Sequence, residues 1–341
     1  MNIKFNLNNK AILITGGTGS FGQKCVGEIL KRFKPSRLVV FSRDEQKQYE
    51  MKRKFREGKD SCLRYFIGDV RDQSRLEMAL SNIEYVIHAA ALKHVPTAEY
   101  NPFECIQTNV HGAENLINAA LRQNVKRVIA LSTDKAVAPI NLYGASKLAA
   151  EKIFVAGNNL SKANSTQFSI VRYGNVLGSR GSVIPHFVNL VKTKGKKTLP
   201  LTDLHMTRFW ITLTQGVEFV LNSLGKMQGG EIFVPKIPSM EVAKLIKCFG
   251  LDIKAKVIGI RPGEKIHETL ITNDEARNAW DMGSYYLIEP DFVWRKRKKI
   301  KTATTKTLPK DFSYASNTNK KWIKTFEMKK IIENIKNAKE Y

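Results

Sequence analysis

"ILITGGTGSFG", residues 12–22, carries an apolar run straight into three glycines spaced three apart, Gly16, Gly19 and Gly22. Glycines at such places allow a tight turn and close backbone approach, and a helix starting behind them turns free amides toward an anion. The stretch reads as strand, turn and helix, with Gly16, Thr18, Gly19, Ser20, Phe21 and Gly22 around the pyrophosphate of a dinucleotide. Past the turn, Phe21, Cys25, Ile29, Leu30 and Phe33 fall on one helical face, and Pro35 stops the helix. The competing reading is a glycine-rich turn in an unrelated αβ domain.

Five further apolar runs follow: "RLVVFS" (37–42), "LRYFIGD" (63–69), "YVIHAAA" (85–91), "RVIALST" (127–133) and "FSIVRYGNV" (168–176). Near-continuous apolar strands alternating with amphipathic helices are the pattern of βα units in a parallel sheet covered on both faces. The expected fold is α/β, a Rossmann-type doubly wound parallel sheet with a smaller interleaved C-terminal substrate-binding lobe. The expected division is a dinucleotide-binding domain over 1–177, a lobe over 178–291 and a basic extension over 292–341, with some later segments returning to the sheet. Helices are expected around 214–224 and 239–249. At the end of the second strand an NAD site wants a carboxylate for the ribose hydroxyls, but here stand Ser42 and Arg43, with Lys47 one turn on. An arginine suits a 2'-phosphate, so NADP is the expected cofactor, the alternative being a solvated Arg43 beside a helix-capping Asp44. Asp69 and Val70 end the third strand where adenine would lie, and Ala89 and Ala90 close the fourth beneath the ribose and nicotinamide.

With 341 residues and 43% apolar content, the chain can bury a large core. No apolar stretch approaches the ~20 residues needed to cross a bilayer, so a cytoplasmic protein without a membrane span is expected. Cys25, Cys62, Cys105 and Cys248 lie far apart, which argues against both a disulfide framework and a metal site. The net charge is +25, and from Phe292 onward there are 15 Lys and Arg against 4 Asp and Glu. "RKRKK" at 295–299 could meet phosphates or an acidic surface, but such runs are commonly solvated. With no helix-turn-helix, finger or aromatic-studded signature beside the charge, no specific nucleic-acid partner is expected.

The chemistry concentrates in "LSTDKAVAPINLYGASK", residues 131–147. Tyr143 and Lys147 are four apart on a helix and share a face, while Thr133 ends a strand where open parallel sheets place their ligands. A phenol needs help to act as a base near neutrality. The Lys147 ammonium and a positive nicotinamide ring could lower its pKa, and the Thr133 hydroxyl could share its proton. Tyr-x-x-x-Lys by itself is also the pattern of a surface aromatic beside a solvated lysine.

Taken together, the chain resembles the extended short-chain dehydrogenase/reductase family, and within it the inverting UDP-N-acetylglucosamine 4,6-dehydratases that open pseudaminic acid synthesis. The resemblance runs from about Asn8 to Pro290 through "SRDE", "YFIGDVRD", "HAAALKHVPTAEYNP", "STDKA", "YGASK", "RYGNVLGSRGSVIPHF", "MTRFWITL" and "IPSMEVAKLI", with "FSYASNTN" near the end. Val137 and Ala138 depart from the usual spacer without changing its length, and "RKRKK" lies outside the motif set. The resemblance implies tightly held NADP, a UDP-sugar substrate and a homo-oligomer, a hexamer being one form open to it.

It also implies a reaction. Oxidation at C4 of the sugar acidifies the C5 proton, the C6 hydroxyl is eliminated, and a hydride returns to C6. Such a site needs a base at C5 and an acid for the departing hydroxyl. Relatives that retain the C5 configuration carry Asp-Glu where this chain has Asp134-Lys135. Lys135 is therefore expected as the C5 base, provided burial or Lys147 keeps it neutral, with Asp134 assisting loss of the hydroxyl and Tyr143 returning the proton from the other face. Asn175, Arg180, Arg208, Arg261 and Glu264 are expected to meet the sugar nucleotide, the arginines at the phosphates. Lys93 and His94 read equally well as a packed turn. Two other readings stand beside this one: an epimerase or retaining dehydratase on the same scaffold, and an NADP-binding regulatory or polyanion-binding protein supported only by the charge.

Overall fold

The computed structural model describes residues 5–55, 61–161, 166–192, 195–250, 252–292 and 305–337. The run at 295–299 lies outside them. Six parallel strands, β1 (Ala11–Thr15), β2 (Arg37–Ser42), β3 (Leu63–Ile67), β4 (Tyr85–His88), β5 (Arg127–Thr133) and β6 (Gln167–Tyr173), lead the chain. Between them run α1 (Ser20–Arg32), α2 (Glu45–Lys54), α3 (Gln73–Ala79), α4 (Val95–Tyr100), α5 (Pro102–Ile106), α6 (Gly112–Arg122) and α7 (Leu142–Leu160). Every residue of β1 is buried, with Ile12 and Ile14 packed into one core and Leu13 into another. Alternate side chains of a pleated strand face opposite sides, so a strand with helices on both sides reads apolar throughout.

The later chain supplies β7 (Asn175–Leu177), α8 (Val183–Lys192), β8 (Thr198–Leu201), β9 (Thr207–Thr212), α9 (Leu213–Lys226), β10 (Ile232–Pro235), β11 (Ser239–Glu241), α10 (Val242–Lys247), β12 (Lys254–Val257) and β13 (Thr269–Ile271). It ends with α11 (Asn273–Ala276), β14 (Ala279–Asp281), β15 (Tyr285–Ile288), β16 (Lys306–Thr307), β17 (Tyr314–Ala315) and α12 (Thr325–Asn337). The main sheet has the order β16-β14-β15-β10-β6-β5-β4-β1-β2-β3. Strand order reverses at β1 and β4, and a crevice opens there at the carboxyl ends of the strands. A third core, around Leu177, Ile184, Phe187, Trp210 and Met240, builds the lobe beside that crevice, and Met328 and Ile332 of α12 pack into it.

Three local outcomes differ from the sequence expectation. The run at 168–176 is not one strand: it breaks at Gly174, and β7 leaves the main sheet to pair with β9. A Cβ on Gly174 would stand 2.5 Å from Cβ of Phe209 and 3.2 Å from Oδ2 of Asp134, so the chain must turn there without a side chain. The helix expected at 239–249 begins only at Val242, because 239–241 pair with β9 as β11. The fourth strand ends at His88, and the alanines after it form the crevice wall. No helix among the described residues is long and apolar enough to cross a membrane.

Candidate active site

A cleft of about 700 Å³ runs along the crevice. Its lining includes every residue expected at the dinucleotide: Gly16, Thr18, Gly19, Ser20, Phe21, Gly22, Ser42, Arg43, Lys47, Asp69, Val70, Ala89, Ala90, Tyr143 and Lys147. Gly16 has φ +64°, and a Cβ there would stand 2.8 Å from the Ala90 amide nitrogen, so glycine is required on both counts. Gly19 caps α1 without any side-chain cap, leaving the first amides of a 13-residue helix open to an anion. The Thr18 and Ser42 hydroxyls hydrogen-bond at 2.7 Å, tying the turn to the end of β2. These features fit a dinucleotide pyrophosphate.

The same cleft brings Thr133, Asp134, Lys135, Tyr143, Lys147, Asn175 and Arg180 together. Thr133 closes β5, and Asp134–Ala136 form a single 3₁₀ turn against the start of α7, which Asn141 caps by accepting from the Gly144 amide. The Thr133 hydroxyl donates to Oδ1 of Asp134 at 3.0 Å, and Nζ of Lys135 donates to the same oxygen at 3.0 Å. Lys147 is buried and donates to the Leu131 carbonyl at 2.7 Å. Oδ1 of Asn175 and Oδ2 of Asp134 are buried without a hydrogen-bond partner among the described residues.

Behind Lys135 lies a carboxylate that sequence reasoning missed. Glu268 is 2% exposed, with Oε1 3.2 Å from Nζ of Lys135 and 3.8 Å from Nε of Arg208. Arg208 is itself buried, donating to the carbonyls of Thr207, Lys265 and Ile266 and pairing with Glu264 at 3.5 Å. Its guanidinium thus stands behind Lys135, outside the lining of the cleft. Glu264 also accepts from the Thr202 hydroxyl at 3.1 Å, and Arg261 is exposed at the start of the turn that carries Glu264. Lys93 and His94, left open by the sequence, line the cleft: Nζ of Lys93 donates to the Arg180 carbonyl at 2.9 Å, while the Arg180 amide donates to the Ser20 hydroxyl at 3.0 Å.

The electrostatics overturn one condition placed on Lys135. Burial pushes its pKa down, but the charges of Asp134 and Glu268 outweigh burial and the opposing Arg208, so the amine is held well above its ordinary value. The two carboxylates hold Lys135 as an ammonium, not the neutral amine that burial was expected to leave. Burial raises Asp134, only partly offset by Lys135. Burial raises Glu268 too, but Lys135, Arg208 and Lys265 prevail and hold it below the usual carboxylate range. Of the two carboxylates, Asp134 is the one disposed to take a proton. Tyr143 is pushed up to about 12 by burial, against the charge of Lys135 and a hydrogen bond with Thr133. The cation acting on the phenol is Lys135 rather than Lys147, whose own pKa burial brings down to about 8.

Residues 12–290 match the family model described as "Polysaccharide biosynthesis protein". An inverting UDP-N-acetylglucosamine 4,6-dehydratase of Campylobacter jejuni subsp. jejuni serotype O:23/36 is 49% identical over 338 residues, covering 95% of this chain and 98% of that protein. A UDP-glucose 4-epimerase of Rickettsia canadensis is 43% identical over 294 residues, covering 83% and 84%. Among solved structures, Pen from Bacillus thuringiensis superimposes with a TM-score of 0.87 at 37% identity over 97% of this chain and 99% of that one. The dTDP-glucose 4,6-dehydratase DesIV of Streptomyces venezuelae, with NAD bound, shares the fold at a TM-score of 0.66 and 22% identity over 75% and 86%.

The NADP expectation is corrected by these neighbours, since DesIV and the UDP-glucose 4-epimerase of Bifidobacterium longum, at a TM-score of 0.62 and 21% identity over 75% of this chain and 88% of that one, hold NAD. The physical reason is visible at the end of β2. Arg43 is 54% exposed and lies 3.6 Å from Asp69, while Lys47 pairs with Asp44. Lys47 is matched by a carboxylate, Asp69 is paired more closely with Arg71 at 2.8 Å than with Arg43, and carboxylates at this place suit ribose hydroxyls better than a phosphate. Matched along most of its length, the chain belongs to the polysaccharide biosynthesis protein family and, among extended short-chain dehydrogenase/reductases, to the group of the inverting UDP-N-acetylglucosamine 4,6-dehydratases.

Proposed function

We propose that this chain is a C5-inverting UDP-N-acetylglucosamine 4,6-dehydratase, a hydro-lyase working with resident NAD and giving a UDP-4-keto-6-deoxy-L-hexosamine. The observation that carries the reading is the Asp134–Lys135 contact at 3.0 Å beside Thr133 and Tyr143 in one cleft. The dinucleotide, held by the turn at 16–22 and by Lys147, would supply a reversible hydride acceptor for C4 and hydride donor for C6. Everything else falls to side chains. The Tyr143 phenol, pushed up to about 12 by burial, would be drawn down to a phenolate by the positive ring of the bound dinucleotide together with Lys135, and as phenolate it takes the C4 hydroxyl proton, with Thr133 sharing the hydrogen bond. Asp134 and Lys135 share one proton, which passes to the carboxylate as the substrate displaces water, leaving a neutral acid and a neutral amine. Lys135 then removes the C5 proton, and Asp134 protonates the departing C6 hydroxyl, which leaves as water. The pair ends as carboxylate and ammonium, the state in which it began. Tyr143 gives its proton back to C5 from the opposite face, which inverts that centre and restores the phenolate. Lys147 steadies the ribose of the dinucleotide, Asn175 meets the sugar, and Arg180 and Arg261 serve the UDP end, while Arg208, expected at the phosphates, is engaged with Glu264 in bracing the segment behind Lys135.

A second reading, 4-epimerisation, is favoured by the likeness to the rickettsial epimerase. It needs Thr133, Tyr143 and Lys147 but no acid–base pair. The protein is further proposed to be cytoplasmic and a homo-oligomer. One experiment separates the readings: incubation with UDP-N-acetylglucosamine in deuterated water, NMR of the product, and identification of the nucleotide released on denaturation. A C6 methyl with deuterium at an inverted C5, together with released NAD, is expected. A product that keeps its C6 hydroxyl and is altered only at C4 would replace dehydration by epimerisation.

A further inference from the structure

Glu268 is a buried carboxylate with one oxygen, Oε2, lacking any hydrogen-bond partner among the described residues. Burying such a charge costs several kcal/mol unless a cation compensates it, and here the cation is shared. The distances decide which cation it serves. Lys135 is at 3.2 Å, whereas Arg208 is at 3.8 Å and already spends its donors on three carbonyls and Glu264. The backbone of Glu268 is held at both its amide and its carbonyl by Ser316. Its amide donates to the Ser316 hydroxyl at 2.9 Å, its carbonyl accepts from the Ser316 amide at 2.8 Å, and the Ser316 and Thr207 hydroxyls meet at 2.7 Å. A buried glutamate whose backbone is held by Ser316, itself tied to Thr207, and whose carboxylate meets a lysine in the cleft is a device for holding that lysine.

We propose that Glu268 is the positioning residue of the proton-transfer pair: it holds Nζ of Lys135 beside Asp134 and sets the pH at which Lys135 changes charge. The proposal rests on the function proposed above. The charged and titratable groups facing Lys135 are Asp134, Glu268, Arg208, Lys265 and Tyr143. With Glu268 neutralised, Arg208 and Lys265 press on Lys135 with Asp134 as the main remaining counter-charge. The ammonium should therefore give up its proton at lower pH, and Nζ should lose one of its two anchors.

The test compares wild type, Glu268→Gln and Glu268→Asp by kcat, KM and the pH profile of C5 deuterium incorporation with UDP-N-acetylglucosamine. For Glu268→Gln, KM should hold, kcat should fall about tenfold or more, and the limb of the profile that follows Lys135 should move down by about 1 to 3 pH units, the effect of one charge at this range. Glu268→Asp, which keeps the charge on a shorter arm, should bring the limb back toward wild type while leaving kcat reduced. A limb that stays in place in Glu268→Gln overturns the proposal, as does loss of the folded state in both variants, which would assign Glu268 to stability alone. If wild type itself incorporates no deuterium at C5, the functional reading fails first and the proposal falls with it.

Discussion

Lys135 has two carboxylate oxygens within 3.2 Å of its amine and is the group on which the proposed chemistry turns. Lys135→Met keeps most of the volume and removes the charge. Asp134 and Glu268 would then face each other across an apolar side chain, and the carboxylate already raised by burial, Asp134, would take up a proton, so the variant should fold near neutral pH. C4 oxidation should slow but survive, because Thr133, Tyr143 and Lys147 remain while the phenol loses the Lys135 charge that favours its ionisation. Elimination should slow by about 10²- to 10⁴-fold, the range for a lost general acid–base group, and the 4-keto, 6-hydroxy sugar should accumulate in quenched single turnovers read by mass spectrometry. Near-normal turnover with undiminished deuterium at C5 would take the base role away from Lys135. The residues of this triplet were legible in the sequence, since Thr133, Asp134 and Lys135 are contiguous and Tyr143 and Lys147 share a helical face. Glu268 was not. A glutamate in "KIHETL" reads as solvated, and only its pairing with Ser316, far along the chain, buries it.

The strands of the parallel sheet were legible because burial on both faces makes their middles apolar, as at residues 12–14 of β1 and 38–41 of β2. The break between β6 and β7 was not, because it is imposed from outside by Phe209 on β9 and by Asp134 after β5. That break matters to the site: it frees Asn175 from the main sheet and aims it into the cleft beside Asp134. Gly174→Ala should therefore strain the junction. Its methyl would sit 2.5 Å from Cβ of Phe209, and relief requires β7 or β9 to shift. A loss of about 1 to 3 kcal/mol is expected, the usual cost of an overpacked site, measured as a lower denaturant midpoint at unchanged slope. Activity should fall with it, since the displaced strand carries Asn175. An unchanged midpoint would mean that the junction yields without cost and that glycine is not required there.

Across the whole molecule the charge of +25 suggested a polyanion surface, yet the ionic contacts that organise the fold are internal and balanced. Arg172 on β6, 1% exposed, clamps Glu151 of α7 at 2.6 and 3.0 Å and Glu275 of α11 at 2.8 and 3.1 Å, and donates to the Leu270 carbonyl at 3.0 Å. It ties the main sheet to the segment that runs from Glu268 through β13 to α11, so the stability of the fold and the placement of the site share one arginine. Such a clamp could not be read from the sequence, because Arg172 interrupts an otherwise apolar strand and its partners come from distant elements. Removing one member of a buried ion cluster leaves the others uncompensated, so Arg172→Met should cost about 3 to 5 kcal/mol near neutral pH. Burial pushes Glu275 up, but Arg172 outweighs it and the carboxyl is held below its ordinary range. A depressed carboxylate contributes stability above its unfolded pKa of about 4.3, and that contribution is lost as pH falls through the lower folded value. The gap between wild type and Arg172→Met should therefore be full near neutrality and narrow as the solution is taken below about pH 4. Denaturant titrations of both proteins at the two pH values measure it. A gap of equal size at both would show that Arg172 holds the sheet to the segment by packing and its bond to Leu270 rather than by charge.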